Sequence, residues 1–300
     1  RFIFITTPSG YKTLNKHYHK IDSRTNGYDF GLLTYHPGIG KDGSHQYVHV
    51  SDTEIFNTEG NEAWVRNIRE YAANENAAFI IHTGDICYEN GMKKHIKLMN
   101  TENMNVPVFY CIGNHDLVKG KYGEEVFENN YGPVYYSFDV ANVHYIVTPM
   151  PGGDHKPGYT HLDVCRWLKN DLAHIKPGTP IVVFNHDILT YGDEFIYKGS
   201  ETESIDLNKH NLKAWVYGHW HINHVKKQGS VYTVCTSALD KGGIDHSTSA
   251  FRIMHVDGKG DFSSELRYSY LNNSICIASP AGHTASPEVT VNVYSSASPV

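Results

Sequence analysis

Five short apolar runs in this chain each end on a side chain able to bind a cation. "YVHV" leads into Ser51-Asp52, "FIIHT" into Gly84-Asp85, and "VFYCI" into Gly113-Asn114-His115-Asp116. "IVVF" leads into Asn185-His186-Asp187, and "AWVY" into Gly218-His219-Trp220-His221. Runs of this length, bounded by Gly and polar residues, read as buried strands. The segments between them read as helices. "NEAWVRNIREYAANEN" places Trp64, Ile68 and Tyr71 on one face, with Val65 and Ala72 beside it. "MKKHIKLMN" is a short helix. "HLDVCRWLKNDLAHIKPG" carries Cys165, Leu168, Leu172 and Ile175 on one face and stops at "KPG". "VYYSFDVANVHYIVT" is a hairpin around Ala-Asn. Strands alternating with helices predict a layered α/β domain. In such domains the loops beyond the strand carboxyl ends converge on one cleft, so the five motifs share a site.

Their chemistry narrows the site. Two Asp, one Asn amide and three His form a mixed oxygen and nitrogen set without thiolate. That set has too much imidazole for calcium and suits Zn, Fe or Mn. Six ligands exceed one tetrahedral ion. Two transition-metal ions bridged by one carboxylate use them all, and Asp85, held by Gly84 at a tight strand exit, is the natural bridge. Such a pair hydrolyses phosphate esters, with a metal-bridging hydroxide as nucleophile.

The order Asp52, "GD", "GNHD", "NHD", "GHWH" resembles the calcineurin-like metallophosphoesterase superfamily over about residues 46 to 270. The resemblance implies a four-layer α/β/β/α sandwich, flanked here by partial β segments. It implies one metal on Asp52, Asp85 and His221, and a second on Asp85, Asn114, His186 and His219. His115 is then no ligand but stabilises the transition state or protonates the leaving oxygen. The superfamily's first block is commonly D-x-H, whereas this chain has "DTE". The purple acid phosphatase branch lacks that His and uses a G-D-x-x-Y tyrosine. "GDICY" is similar to it, so either Tyr88 or Glu54 replaces the missing imidazole. Asp116 and Asp187 are expected to orient neighbouring imidazoles. The Ser/Thr protein phosphatase extension is absent, since "GDICYENG" has no Arg.

Composition excludes several other classes. Among 300 residues, 19% are charged and the net charge is −6, with no run of Lys or Arg, which argues against a nucleic-acid surface. No apolar stretch approaches the roughly 18 residues of a membrane span. Five cysteines (Cys87, Cys111, Cys165, Cys235, Cys276), without a C-x-x-C pair, read as buried small side chains. Residues 1–43 read as an arm or the end of an upstream β-domain, 44–272 as the phosphoesterase domain, and 273–300 as a linker into a C-terminal β-domain. Low charge with abundant Tyr, Asn and Gly favours an exported protein. His155, Tyr159, His161 and Tyr191, in polar loops beside the motifs, are candidates for shaping substrate choice. His17, His19, His36 and His45 are expected at the surface. The competing reading is a non-catalytic metal-binding module of a multidomain surface protein. Whether the substrate is a phosphomonoester or a phosphodiester stays open.

Overall fold

The computed structural model describes residues 2–14, 16–23, 27–55, 63–269, 273–280, 283, 285 and 287–295. Four three-residue strands come first: β1 (Phe2–Phe4), β2 (Tyr11–Thr13), β3 (Tyr18–Lys20) and β4 (Leu32–Thr34). The first pairs with the third and the second with the fourth, both antiparallel. Then follow β5 (His45–Val50), α1 (Ala63–Asn74), β6 (Ile80–His82), α2 (Glu89–Leu98), α3 (Thr101–Met104), β7 (Val108–Tyr110), α4 (Glu125–Asn130), β8 (Tyr136–Val140) and β9 (Val143–Val147). The remainder comprises α5 (His161–Ala173), β10 (Ile181–Phe184), β11 (Ile196–Lys198), β12 (Ser204–Asp206), β13 (Leu212–Tyr217), β14 (His224–Gln228), β15 (Val231–Cys235), β16 (Ala250–Val256) and β17 (Phe262–Tyr268). An antiparallel pair, β18 (Asn273–Ser279) and β19 (Thr290–Ser295), ends the described chain.

Two mixed sheets form the centre, ordered β17-β16-β5-β6-β7 and β14-β15-β13-β10-β9-β8. Within the first, β5, β6 and β7 run parallel. Within the second, β9, β10, β13 and β15 run parallel.

Period-two alternation of apolar side chains makes four layers of this. Tyr47, Phe79, Ile81 and Phe109 of the first sheet meet Tyr145, Val182, Phe184, Ala214 and Val216 of the second in a common core. The alternate residues Val48, Val50, Ile80 and Val108 face outward onto Trp64, Ile68 and Ala72 of α1 and Met92 of α2. On the far side Ile146, Ile181, Val183 and Trp215 face Val164, Cys165, Leu168 and Leu172 of α5. The order is therefore helices, sheet, sheet, helix: the α/β/β/α sandwich expected. α5 starts on a capping box in which Thr160 and Asp163 satisfy each other's backbone amides.

Several expectations need correction. The stretch 187–204 is not simply loop, since Ile196–Lys198 pairs with Ser204–Asp206. In the terminal segment, read as a linker, "SICIAS" is itself a strand paired with β19. His45 is not a surface residue: it is 5% exposed, and its Nε2 lies 2.6 Å from the Tyr145 hydroxyl. His17 also turns inward. Its Nε2 is buried, its ring lies against Phe109 and Tyr136, and burial lowers it to about 4. Cys87, Cys111, Cys165 and Cys235 are buried and free, as expected. The side chain of Cys276 lies outside those described.

Candidate metal centre

Each motif follows the carboxyl end of a parallel strand. Asp52 follows β5, Asp85 follows β6, and Asn114 and His115 follow β7. Their counterparts are His186 after β10 and His219 and His221 after β13. Because the two sheets lie face to face, their strand ends open on the same edge of the sandwich, and the side chains meet there.

Close approach dictates the glycines. A Cβ on Gly84, at φ +101°, would stand 2.7 Å from Nδ1 of His186. A Cβ on Gly113 would fall on the carboxylate and backbone nitrogen of Asp85. Backbone strain gathers in the same turns. Asp52, Glu54, Asp85, Cys87, Tyr88, His219 and His221 all have positive φ, between 41° and 71°. Each such residue costs about 1–3 kcal/mol and persists only where its surroundings demand it.

The groups converge closely. Nε2 of His186 lies 3.1 Å from Oδ2 of Asp85 and 3.9 Å from Oδ1 of Asp52. Nε2 of His221 lies 3.2 Å from Oδ1 of Asp52 and 3.5 Å from Oε1 of Glu54. The His186 and His219 rings are 4.9 Å apart. Asp52 and Asp85 are almost wholly buried, at 0% and 2% exposed. Among the described residues two sets have ligand atoms all within 4.8 Å of one another: Asp85, His186 and His219; and Glu54, Asp85 and Cys87. Asp85 belongs to both.

Electrostatics point the same way. His186 donates from Nδ1 to the carbonyl of Thr83 at 2.7 Å, which leaves Nε2 free to offer a lone pair. That Nε2 is buried without a hydrogen-bond partner, as is Oδ1 of Asn114. Burial opposes charge on His186, but the neighbouring Asp85 and Asp52 carboxylates outweigh it and raise the imidazole well above its usual range. His221 is raised by its contact with Asp52, and His219 is lowered by burial and by His186. Buried carboxylates beside orphaned lone pairs are expensive without a cation, so the donor set fits metal ions.

His115 stands at the rim. Its amide donates to Oδ1 of Asp85 at 3.0 Å, and its Nδ1 lies 2.9 Å from Oδ2 of Asp154. Burial disfavours the imidazolium, but the Asp154 hydrogen bond and the Asp85 charge raise it overall. Tyr88 is 43% exposed, and its ring lies 5.8 Å from that of His115. Glu54 carries the ammonium of Lys241 on Oε2.

Asp116 and Asp187 do not hydrogen-bond imidazoles as expected. Asp116 accepts from the amides of Cys87 at 2.8 Å and Gly113 at 2.9 Å, tying two motif loops together. Burial and the Asp85 charge push it up to about 6. Asp187 accepts from the indole N–H of Trp220 at 3.0 Å. Among the loop candidates, Tyr159 donates to the carbonyl of Met150, and Tyr191 is exposed and stacks on Trp220. His155 and His161 are exposed. Asp154 and Lys241 carry no motif signal. Cys87 does, since it sits inside "GDICY", but the pattern reading passes over it.

The model of the calcineurin-like phosphoesterase family matches residues 45–223, the segment that carries all five motifs. The chain belongs to that family. As a calcineurin-like phosphoesterase it is a metal-dependent hydrolase of phosphate esters. No curated protein matches it in sequence. Among solved structures it is similar to GAP50, the anchor in the inner membrane complex of Plasmodium, at 15% identity and TM-score 0.47, covering 75% of this chain and 85% of that one. A dimetal phosphatase from Danio rerio is similar at 10% identity and TM-score 0.47, covering 73% and 98%. The phosphopantetheinyl hydrolase of Mycobacterium tuberculosis is similar at 14% identity and TM-score 0.44, covering 66% and 91%. Among the described residues no helix is long and apolar enough to cross a membrane.

Proposed function

We propose that this phosphoesterase holds two transition-metal ions that share Asp85. The observation that carries the reading is the presence of Asp85 in both converging ligand sets. Asp52, Glu54 and His221 would complete one position, and Asn114, His186 and His219 the other. Two such ions, when bound, polarise phosphoryl oxygens and activate water at neutral pH.

The chain's own residues do the rest. Asp52 and Asp85 fix the charge of the site. Thr83 holds the tautomer of His186 that presents Nε2. His115, whose Nδ1 is hydrogen-bonded to Asp154 and which that contact shifts towards the protonated form, would deliver a proton from Nε2 to the leaving oxygen. Strand-end anchoring keeps these groups within hydrogen-bond reach of one another.

Glu54 is the better replacement for the missing first-block imidazole, because its carboxylate already lies 3.5 Å from Nε2 of His221. Tyr88 is partly exposed, and its ring lies beside that of His115 at the rim. The competing assignment, a Tyr88 phenolate on ferric iron, would give a visible charge-transfer band in iron-loaded, oxidised protein. That band would vanish in Tyr88→Phe.

The test is metal analysis with hydrolysis of p-nitrophenyl phosphate and its bis ester. Two metals per chain with turnover of either ester is the expected result. Two metals without turnover of any phosphate ester would favour a non-catalytic module. Asp85→Asn should lose both metals and activity, and retention of two metals in that variant would refute the shared-ligand reading.

A further inference from the structure

We infer that Cys87 is a thiolate ligand of the metal position formed by Asp85 and Glu54, an inference that rests on the two-metal reading above. Sγ of Cys87 lies within 4.8 Å of a carboxylate oxygen of each acid, and those two oxygens lie within 4.8 Å of each other. The same Asp85 carboxylate faces the buried, unpartnered Nε2 of His186 at 3.1 Å, so the thiol borders a site already built for cations.

Cys87 is held in place from behind. Its amide donates to Asp116 at 2.8 Å, and Asp116 also accepts from the Gly113 amide, so one buried carboxylate fixes both loops. The residue is 1% exposed. Surface reactivity therefore does not account for its position. Among the described residues neither Cys111, Cys165 nor Cys235 belongs to a converging ligand set: Cys165 lies on α5 near the carbonyl of Tyr197, and Cys235 faces the carbonyl of Gly218.

Coordination is a simple exchange. The thiol proton leaves to solvent, sulfur donates a lone pair to the cation, and no oxidation state changes. A single soft ligand among hard oxygens tilts the position towards Zn, Fe or Co and away from Mn or Mg.

The test uses the full chain stripped of metal and titrated with Co²⁺. The expected result is a near-ultraviolet thiolate-to-cobalt charge-transfer band that is lost in Cys87→Ser and kept in Cys165→Ser. Because the serine variant could be unstable, the wild-type protein loaded with Zn²⁺ supplies a second measurement. X-ray absorption should show one sulfur at about 2.3 Å. Zinc affinity should fall by at least about 10–100-fold in Cys87→Ser, since even outer partners of ligands are worth that much. A shell of oxygen and nitrogen alone, or a charge-transfer band that survives in Cys87→Ser, overturns the assignment while leaving the metal centre standing. Failure of the wild-type chain to bind cobalt or zinc at all overturns both.

Discussion

Away from the metal centre, His144 offers the sharpest quantitative test of how this fold is held. Its Nδ1 lies 2.7 Å from Asp139 and its Nε2 lies 2.9 Å from Asp171. Asp171 in turn accepts from Ser137 at 2.7 Å, and Ser137 lies 3.2 Å from Thr6 of the arm. One imidazolium thus joins β8, β9 and α5. Burial opposes its charge, but the two carboxylates outweigh burial and raise it from 6.5 to about 9. At 1.36 kcal/mol per tenfold change in proton affinity, this corresponds to about 3 kcal/mol. Asp139 is 39% exposed, so solvent screening brings the expected contribution down to about 2 kcal/mol. The folded protein holds this proton more tightly than the unfolded chain does. The stabilisation is therefore complete below about pH 6.5 and is lost as pH rises through about 9. Urea unfolding followed by tryptophan fluorescence at about pH 6 and about pH 9.5 measures it. His144→Gln should cost about 2 kcal/mol or more at the lower pH, because it leaves two facing carboxylates uncompensated, and much less at the higher. An equal loss at both pH values would show that packing, and not the charge clamp, is what His144 contributes.

Three further outcomes follow from the site. His115→Ala should leave metal content intact and lower turnover by about 10²–10⁴-fold, with the loss shrinking for esters of acidic leaving groups. An equal loss across leaving groups would remove the proton-donor role. In Asp154→Asn the His115 imidazole loses the partner that raises it, so the alkaline fall in rate should move to lower pH with metal content unchanged. An unmoved pH profile would refute that coupling. Gly113→Ala should displace Asp85 and release metal, as read by metal analysis on folded protein, and full metal occupancy would contradict the close approach at Gly113.

The layers and the meeting of the five motifs were legible because period-two burial and strand-end chemistry are local properties. Val48 and Tyr47 declare opposite faces as neighbours, and "GNHD" needs no distant partner to be noticed. What escaped the sequence is set by tertiary approach. Asp154 reaches His115 from 39 residues away, through a loop with no period. Asp116 looks like an imidazole partner until the fold shows two backbone amides competing for it. His45 and His17 read as polar surface because their aromatic neighbours come from β7, β8 and β9. The three-residue strands β11 and β12 are too short to show alternation. Cys87 looked inert because buried cysteines generally are, and only the strand-end geometry sets it beside two carboxylates.

The division of the motifs between sheets bears on how the protein is made. Asp52, Asp85 and Asn114 belong to one sheet, and His186, His219 and His221 to the other, so the imidazoles reach the carboxylates only when the two sheets pack together. The first sheet is complete only when β16, near the end of the domain, slots in beside β5. The full ligand set therefore exists only in the packed sandwich. A chelated chain should keep its native far-ultraviolet circular dichroism. It would forfeit the fastening across the seam, about 2.7 kcal/mol when free metal stands a hundredfold above its dissociation constant.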